Sequence, residues 1–116
     1  MTTLVGAEYI IANILIAENR NNHNNSISME RMLLAISYIQ NLAKERDIAA
    51  EFCVSYPDLM KAIDSFSDYF TFENQIISIA PGKKLDDLKS RFIGYLPLYV
   101  ISFIVDASKK AVMLFV

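Results

Sequence analysis

One cysteine, one histidine and no tryptophan occur in 116 residues, with three glycines and three prolines. A lone Cys53 excludes an intramolecular disulfide framework, and Cys53 with His23 cannot supply the usual four Cys/His ligands of a zinc site. A reducing, cytoplasmic compartment is the expectation that follows, with no metal or other cofactor. Neither sign of charge is in large excess: 11 Lys and Arg against 13 Asp and Glu leave a net charge of -2 and a pI near 5.3. The chain therefore has no global field to draw in nucleic acid or anionic lipid. Long uninterrupted apolar runs are missing as well. Met1 to Ala17 has no Lys or Arg and contains Glu8 and Asn13, so it lacks the basic start of a secretory signal. Phe92 to Val105 is uncharged but holds Gly94 and Pro97 and falls short of the roughly 20 apolar residues that cross a bilayer. No membrane association is expected. What the chain does have is apolar side chains, at 53% with a mean hydropathy of +0.28, enough to exclude disorder and to build one core. The expectation is a single globular domain over residues 1–116.

The apolar residues from Leu4 to Ala17 cover nearly the whole circumference of a helix, which predicts burial on most sides and, in so small a domain, contact with a second copy. Asn19 to Ser26 has no apolar anchor and reads as a mobile, dispensable loop with His23 solvated in it. Ser28 then caps a second helix, with Glu30 in its first turn, a staple between Ile27 and Met32, and an apolar stripe through Met29, Met32, Ile36, Ile39 and Ala43. Asp47 to Val54 suits a short helix or a strand, the helix slightly better. Pro57 and Asp58 open a third helix with Leu59, Ile63 and Phe66 turned toward the second. From Tyr69 to Ala80 the period becomes two, a hairpin turning at Glu73-Asn74. Leu85, Leu88 and Phe92 mark a fourth short helix. Leu98 to Val116 reads as an apolar hairpin, with Asp106 to Lys110 as its turn, or as a buried helix, and the β-branched residues favour the hairpin slightly. The fold class is thus α+β, mainly helical.

Chemistry is sparse. There is no Gly-rich phosphate loop, and no serine or cysteine in a nucleophile turn. Cys53 between Phe52 and Val54 reads as a packed thiol. Asp86 and Asp87 point about 100° apart on a helix and lack further acids to complete an oxygen cage. The tyrosines Tyr56, Tyr69, Tyr95 and Tyr99 have no interleaved basic residues and read as core-edge side chains. No catalytic activity is expected.

Three helices followed by a hairpin is the order of a winged helix, and Leu59 to Ile79 resembles the last helix and wing of that superfamily, which implies DNA binding. The residues oppose it, since Asp58, Asp64 and Asp68 stand against Lys61 alone. The opening, Ala7-Glu-Tyr-Ile-Ile and then Ile27-Ser-Met to Tyr38-Ile-Gln40, is similar over about a third of the chain to the first two helices of the phage- and antitoxin-associated family that includes the SocA antitoxin. That family's Gly-Pro-Val segment has no counterpart here, and no residue role is carried over. The function expected is binding of a protein partner by an accessory, inhibitor, immunity or regulatory protein, with a winged-helix-like DNA-binding regulator as the alternative. The expected partner-binding residues are Lys83, Lys84, Lys89 and Arg91, which with Lys109 and Lys110 form a candidate basic patch, and Leu114 and Phe115 in the apolar C-terminal segment. A homodimer is expected from that segment and from the N-terminal helix.

Overall fold

The computed structural model describes residues 2–115, and among these it is a mainly helical α+β chain with five helices and five short strands. The first strand, β1 (Thr3–Gly6), runs directly into α1 (Ala7–Asn22), so the stretch expected as one helix from Leu4 divides at Gly6. Pairing is the cause: β1 lies parallel to β3 (Ala50–Cys53), with Leu4 opposite Glu51 and Val5 opposite Phe52. The helix favoured over Ile48 to Phe52 is corrected to this strand. Asp47 does not cap a new helix but takes a left-handed turn, φ 53°, at the end of the preceding one.

Between these strands lie β2 (Ser26–Ser28) and α2 (Met29–Glu45). Ser28 caps α2 as its spacing predicts, its hydroxyl accepting from the Arg31 backbone N–H at 3.1 Å, and Ile27 and Met32 are both buried. Helix α3 (Tyr56–Ser65) begins with a reciprocal cap. The Ser55 hydroxyl accepts from the Asp58 N–H at 3.2 Å, and the Asp58 carboxylate accepts from the Ser55 N–H at 3.3 Å. Its Leu59, Ala62 and Ile63 are buried, and the helix packs chiefly on α1 rather than on α2 as expected.

The hairpin follows as β4 (Phe70–Glu73) and β5 (Ile76–Ile79), its two-residue loop Asn74-Gln75 lying one position later than expected. Both loop residues have positive φ, 52° and 62°, as a tight hairpin turn with the right twist requires. Strand β2 pairs with the other edge of β5, giving an antiparallel sheet in the order β2-β5-β4. Three helices thus precede the hairpin within residues 3–79, each of them preceded by a short strand.

A turn at Pro81-Gly82, where Gly82 has φ 84°, leads to α4 (Leu85–Phe92) and then α5 (Leu98–Leu114). Of the two alternatives for the C-terminal segment, the helix forms and the hairpin does not. Val100, Ile104, Ala107 and Ala111 recur at helical spacing and are all buried, while Asp106 meets Lys110 one turn on at 3.1 Å, a pair that a strand would not bring together. With α5 in place α1 is enclosed by α2, α3, α4, α5 and β2, and Ile10, Ile11, Ile14 and Leu15 are at most 1% exposed. The apolar circumference that suggested a second copy is covered by the chain itself, so α1 offers no dimer surface.

Candidate partner interface

The six expected partner-binding residues do not form one surface. Lys83, Lys84, Lys89 and Arg91 lie on and just before α4, but two of these cations are applied to aromatic rings. The Lys83 ammonium is 4.6 Å from the centre of the Tyr69 ring, and the Arg91 guanidinium lies 5.1 Å from Phe66, 5.4 Å from Phe92 and 5.9 Å from Tyr95. Lys89 faces Asp86 at 3.8 Å, and Lys84 is exposed at the helix start, where its backbone N–H donates to Asp87 at 2.7 Å. Phe92 touches Tyr9 edge to face, which fixes the end of α4 near the start of α1. Phe115 sits at the other end. Its ring is edge to face with Tyr38, and its carbonyl accepts from Arg31 Nε. Arg31 in turn grips Glu18, nine residues beyond Tyr9 on α1 and about 14 Å along it. Leu114, beside Phe115, is 62% exposed. On α5, Lys110 is paired with Asp106, which Arg46 also meets at 3.3 Å, and the Lys110 hydrogen bond is the main cause holding the Asp106 carboxyl below its ordinary range.

The strongest polar constellation is one that sequence reasoning missed. Glu18, 0% exposed near the end of α1, accepts from Arg31 Nη1 at 2.6 Å and Nη2 at 3.0 Å, from Asn22 Nδ2 at 2.7 Å and from Asn24 Nδ2 at 3.1 Å. Burial alone would raise its carboxyl, but the Arg31 hydrogen bonds, those of Asn22 and Asn24, and the guanidinium charge together hold it below the usual glutamate range. The Asn-rich tract, expected as a mobile loop, is corrected to the last turn of α1 followed by a hydrogen-bonded connection. His23, exposed, takes a left-handed cap with its N–H on the Asn19 carbonyl at 3.0 Å, and the Asn25 carbonyl accepts from Ile79 N–H at 3.0 Å. One signal was available: Arg31 stands in the first turn of α2, where a cation opposes the helix dipole unless a specific anion holds it. The arrangement ties the ends of α1 and α5 to the start of α2.

A second assembly is open to solvent. Leu33 from α2, Tyr56 at the start of α3 and Ile76 at the hairpin tip, 38%, 46% and 43% exposed, line one shallow groove with Glu30 and Gln75. Exposed Glu73 is opposite Ile76 in the hairpin, and Asp64 is exposed on α3, whose one basic residue is Lys61. Neither Glu30 nor Glu73 has an ion-pair partner among the described residues. Of the apolar residues of this face, Tyr56 reads from sequence as a core-edge side chain, and no reading singles out Ile76. Ile76, out of phase with inward-facing Ile77, carried the one usable signal.

Cys53 is half-buried rather than packed in the core. Among the described residues no three His, Cys, Asp or Glu side chains gather as a metal site, and no helix is long and apolar enough to cross a membrane. No family model, curated protein or solved structure matches this chain.

Proposed function

We propose that this chain is a non-catalytic protein-binding module of the cytoplasm that receives a partner segment on the face formed by α2, α3 and the hairpin tip. The observation that carries the reading is the grouping of exposed Leu33, Tyr56 and Ile76 with the unpaired acids Glu30 and Glu73. Apolar side chains flanked by carboxylates suit a segment that presents apolar and basic residues. The same face, in a winged-helix arrangement, would meet a DNA duplex through α3 and the hairpin. Here Asp58, Asp64, Glu30 and Glu73 against Lys61 would repel phosphates, which favours the protein partner over the DNA-binding regulator. Self-association is assigned to the adjoining face of α2, about 100° around the helix from Leu33. Leu34 shares a helical row with Arg31 and Tyr38, both of which hold Phe115, and it is exposed there together with Met113 and Leu114.

The test is affinity capture with the full chain from cells that make it, wild type against a Leu33→Lys/Ile76→Lys variant. Lysine at position 76 stands opposite Glu73, so the hairpin keeps a favourable cross-strand pair. The expected result is one stoichiometric protein lost with the variant. An unchanged set of captured proteins overturns the assignment, as does duplex DNA bound more tightly than the roughly 10⁻⁶ M of non-specific association.

A further inference from the structure

On a different face, α1, α5 and the end of α4 enclose a groove whose lining is unlike that of the hairpin face. Its apolar wall is Ile16, Ala17, Ile93 and Val105, and two exposed cations, Arg20 from the last turn of α1 and Lys109 from α5, stand on its rim. No carboxylate lines it, and neither cation has an ion-pair partner among the described residues.

A third group converges there. Asn13, only 3% exposed on an otherwise apolar stretch of helix, also lines the groove. Its amide Nδ2 donates to the Tyr9 carbonyl at 2.8 Å, which leaves Oδ1 as an acceptor with no protein donor. Among the described residues Ser108 Oγ, not Asn13 Oδ1, is the fully buried atom without a partner, so Oδ1 opens to the groove, where water or a ligand N–H can meet it. The groove thus presents two unpaired cations suited to an anion, an acceptor open to an N–H, and an apolar wall. Its volume of about 180 Å³ is below the roughly 300 Å³ at which pockets for drug-sized ligands begin. The space suits a single residue.

We propose that this groove binds the C-terminal residue of a peptide whose last side chain is apolar. The free carboxylate pairs with Arg20 and Lys109, the backbone N–H of the same residue donates to Asn13 Oδ1, and the side chain lies on Ile16, Ala17, Ile93 and Val105. An apolar side chain, a carboxylate and an amide N–H on one carbon is what a chain terminus has and what a simple fatty or aryl acid lacks. The proposal goes beyond the hairpin-face reading and uses none of its residues.

The experiment is an NMR titration of the ¹⁵N-labelled full chain with N-acetyl-leucine, with a short peptide ending in leucine as the free acid, and with the same peptide amidated at its C-terminus. Both free acids are expected to give saturating shifts at the amides of Ile16, Arg20 and Lys109, with none at Leu33, Tyr56 or Ile76. The amidated peptide and the exposed double variant Arg20→Gln/Lys109→Gln should each show binding weakened by at least about tenfold. A Val105→Trp variant, which fills the groove from an already exposed position, should abolish the shifts. Equal binding of acid and amide overturns the proposal, as does the absence of saturation below about 10 mM, where affinity is too weak for recognition. Binding of octanoate as tightly as N-acetyl-leucine also overturns it, because the role of Asn13 would then be absent. Shifts confined to Leu33, Tyr56 and Ile76 would support the hairpin face while removing this site.

Discussion

Glu18 and Arg31 show how one buried ion pair can organise three helix ends. Replacing Glu18 with glutamine leaves the Arg31 guanidinium without its anion and is expected to cost about 3 kcal/mol, the lower end for breaking a buried pair because Arg31 keeps some access to water. Urea denaturation at neutral pH measures it. Because the Glu18 carboxyl is held below its reference value of 4.5 when folded, its contribution is fully present above that pH and is lost as pH falls through the lower folded value. The stability gap between wild type and Glu18→Gln should therefore be constant from pH 7 to 5 and narrow below pH 4.5; a gap that widens on acidification contradicts the assignment. Ser108 presents the opposite case. Its hydroxyl is buried in α5 with no hydrogen-bond partner, so Ser108→Ala removes a desolvation cost and should stabilise by about 1 kcal/mol, read as a rise in thermal midpoint.

Individual elements differ in how much of them their own residues disclose. The cap at Ser28, the Leu85–Phe92 helix and the change of period from Tyr69 were legible because each depends on contacts within a few residues, whereas Pro57, expected at the first position of α3, stands second behind the Ser55 cap. The β1–β3 pair was not, since a four-residue strand is set by a partner nearly fifty positions away. Helix α5 was ambiguous for a related reason: β-branched and aromatic residues packed all round suit either state, and the deciding Asp106–Lys110 pair is a helix-only contact hidden in what reads as a turn. The Asn tract was misjudged because its anchor, Glu18, lies outside it. Accordingly Asn22→Ala and Asn24→Ala should each cost about 1.5 kcal/mol, the value of a hydrogen bond to a charged group, while His23→Gly, at a left-handed cap, should not destabilise. The hairpin gives a matching prediction. Gln75→Gly relieves a positive φ and should add about 1 kcal/mol of stability by chemical denaturation.

At the scale of the whole molecule, the chain folds its apolar excess around α1 and leaves only limited groups exposed. The candidate site was less legible than the fold, because its surface is assembled from three elements, Leu33 on α2, Tyr56 beside a cap and Ile76 in the hairpin, which only tertiary packing brings together. The basic residues that stood out in sequence proved to be partly engaged with rings and with Asp86. Self-association, if seated at Leu34, Met113 and Leu114, should weaken in Leu114→Asp, as followed by sedimentation at about 50 μM protomer; an unchanged mass for wild type and variant removes that surface. Recognition of a protein through the hairpin face is tested by placing a photo-crosslinking amino acid at Tyr56 of the full chain in cells that make it. Position 56 is expected to crosslink to one protein, and the adduct to be lost when Leu33 and Ile76 are changed to lysine. Crosslinks to nucleic acid, or a protein adduct that survives both changes, would contradict it.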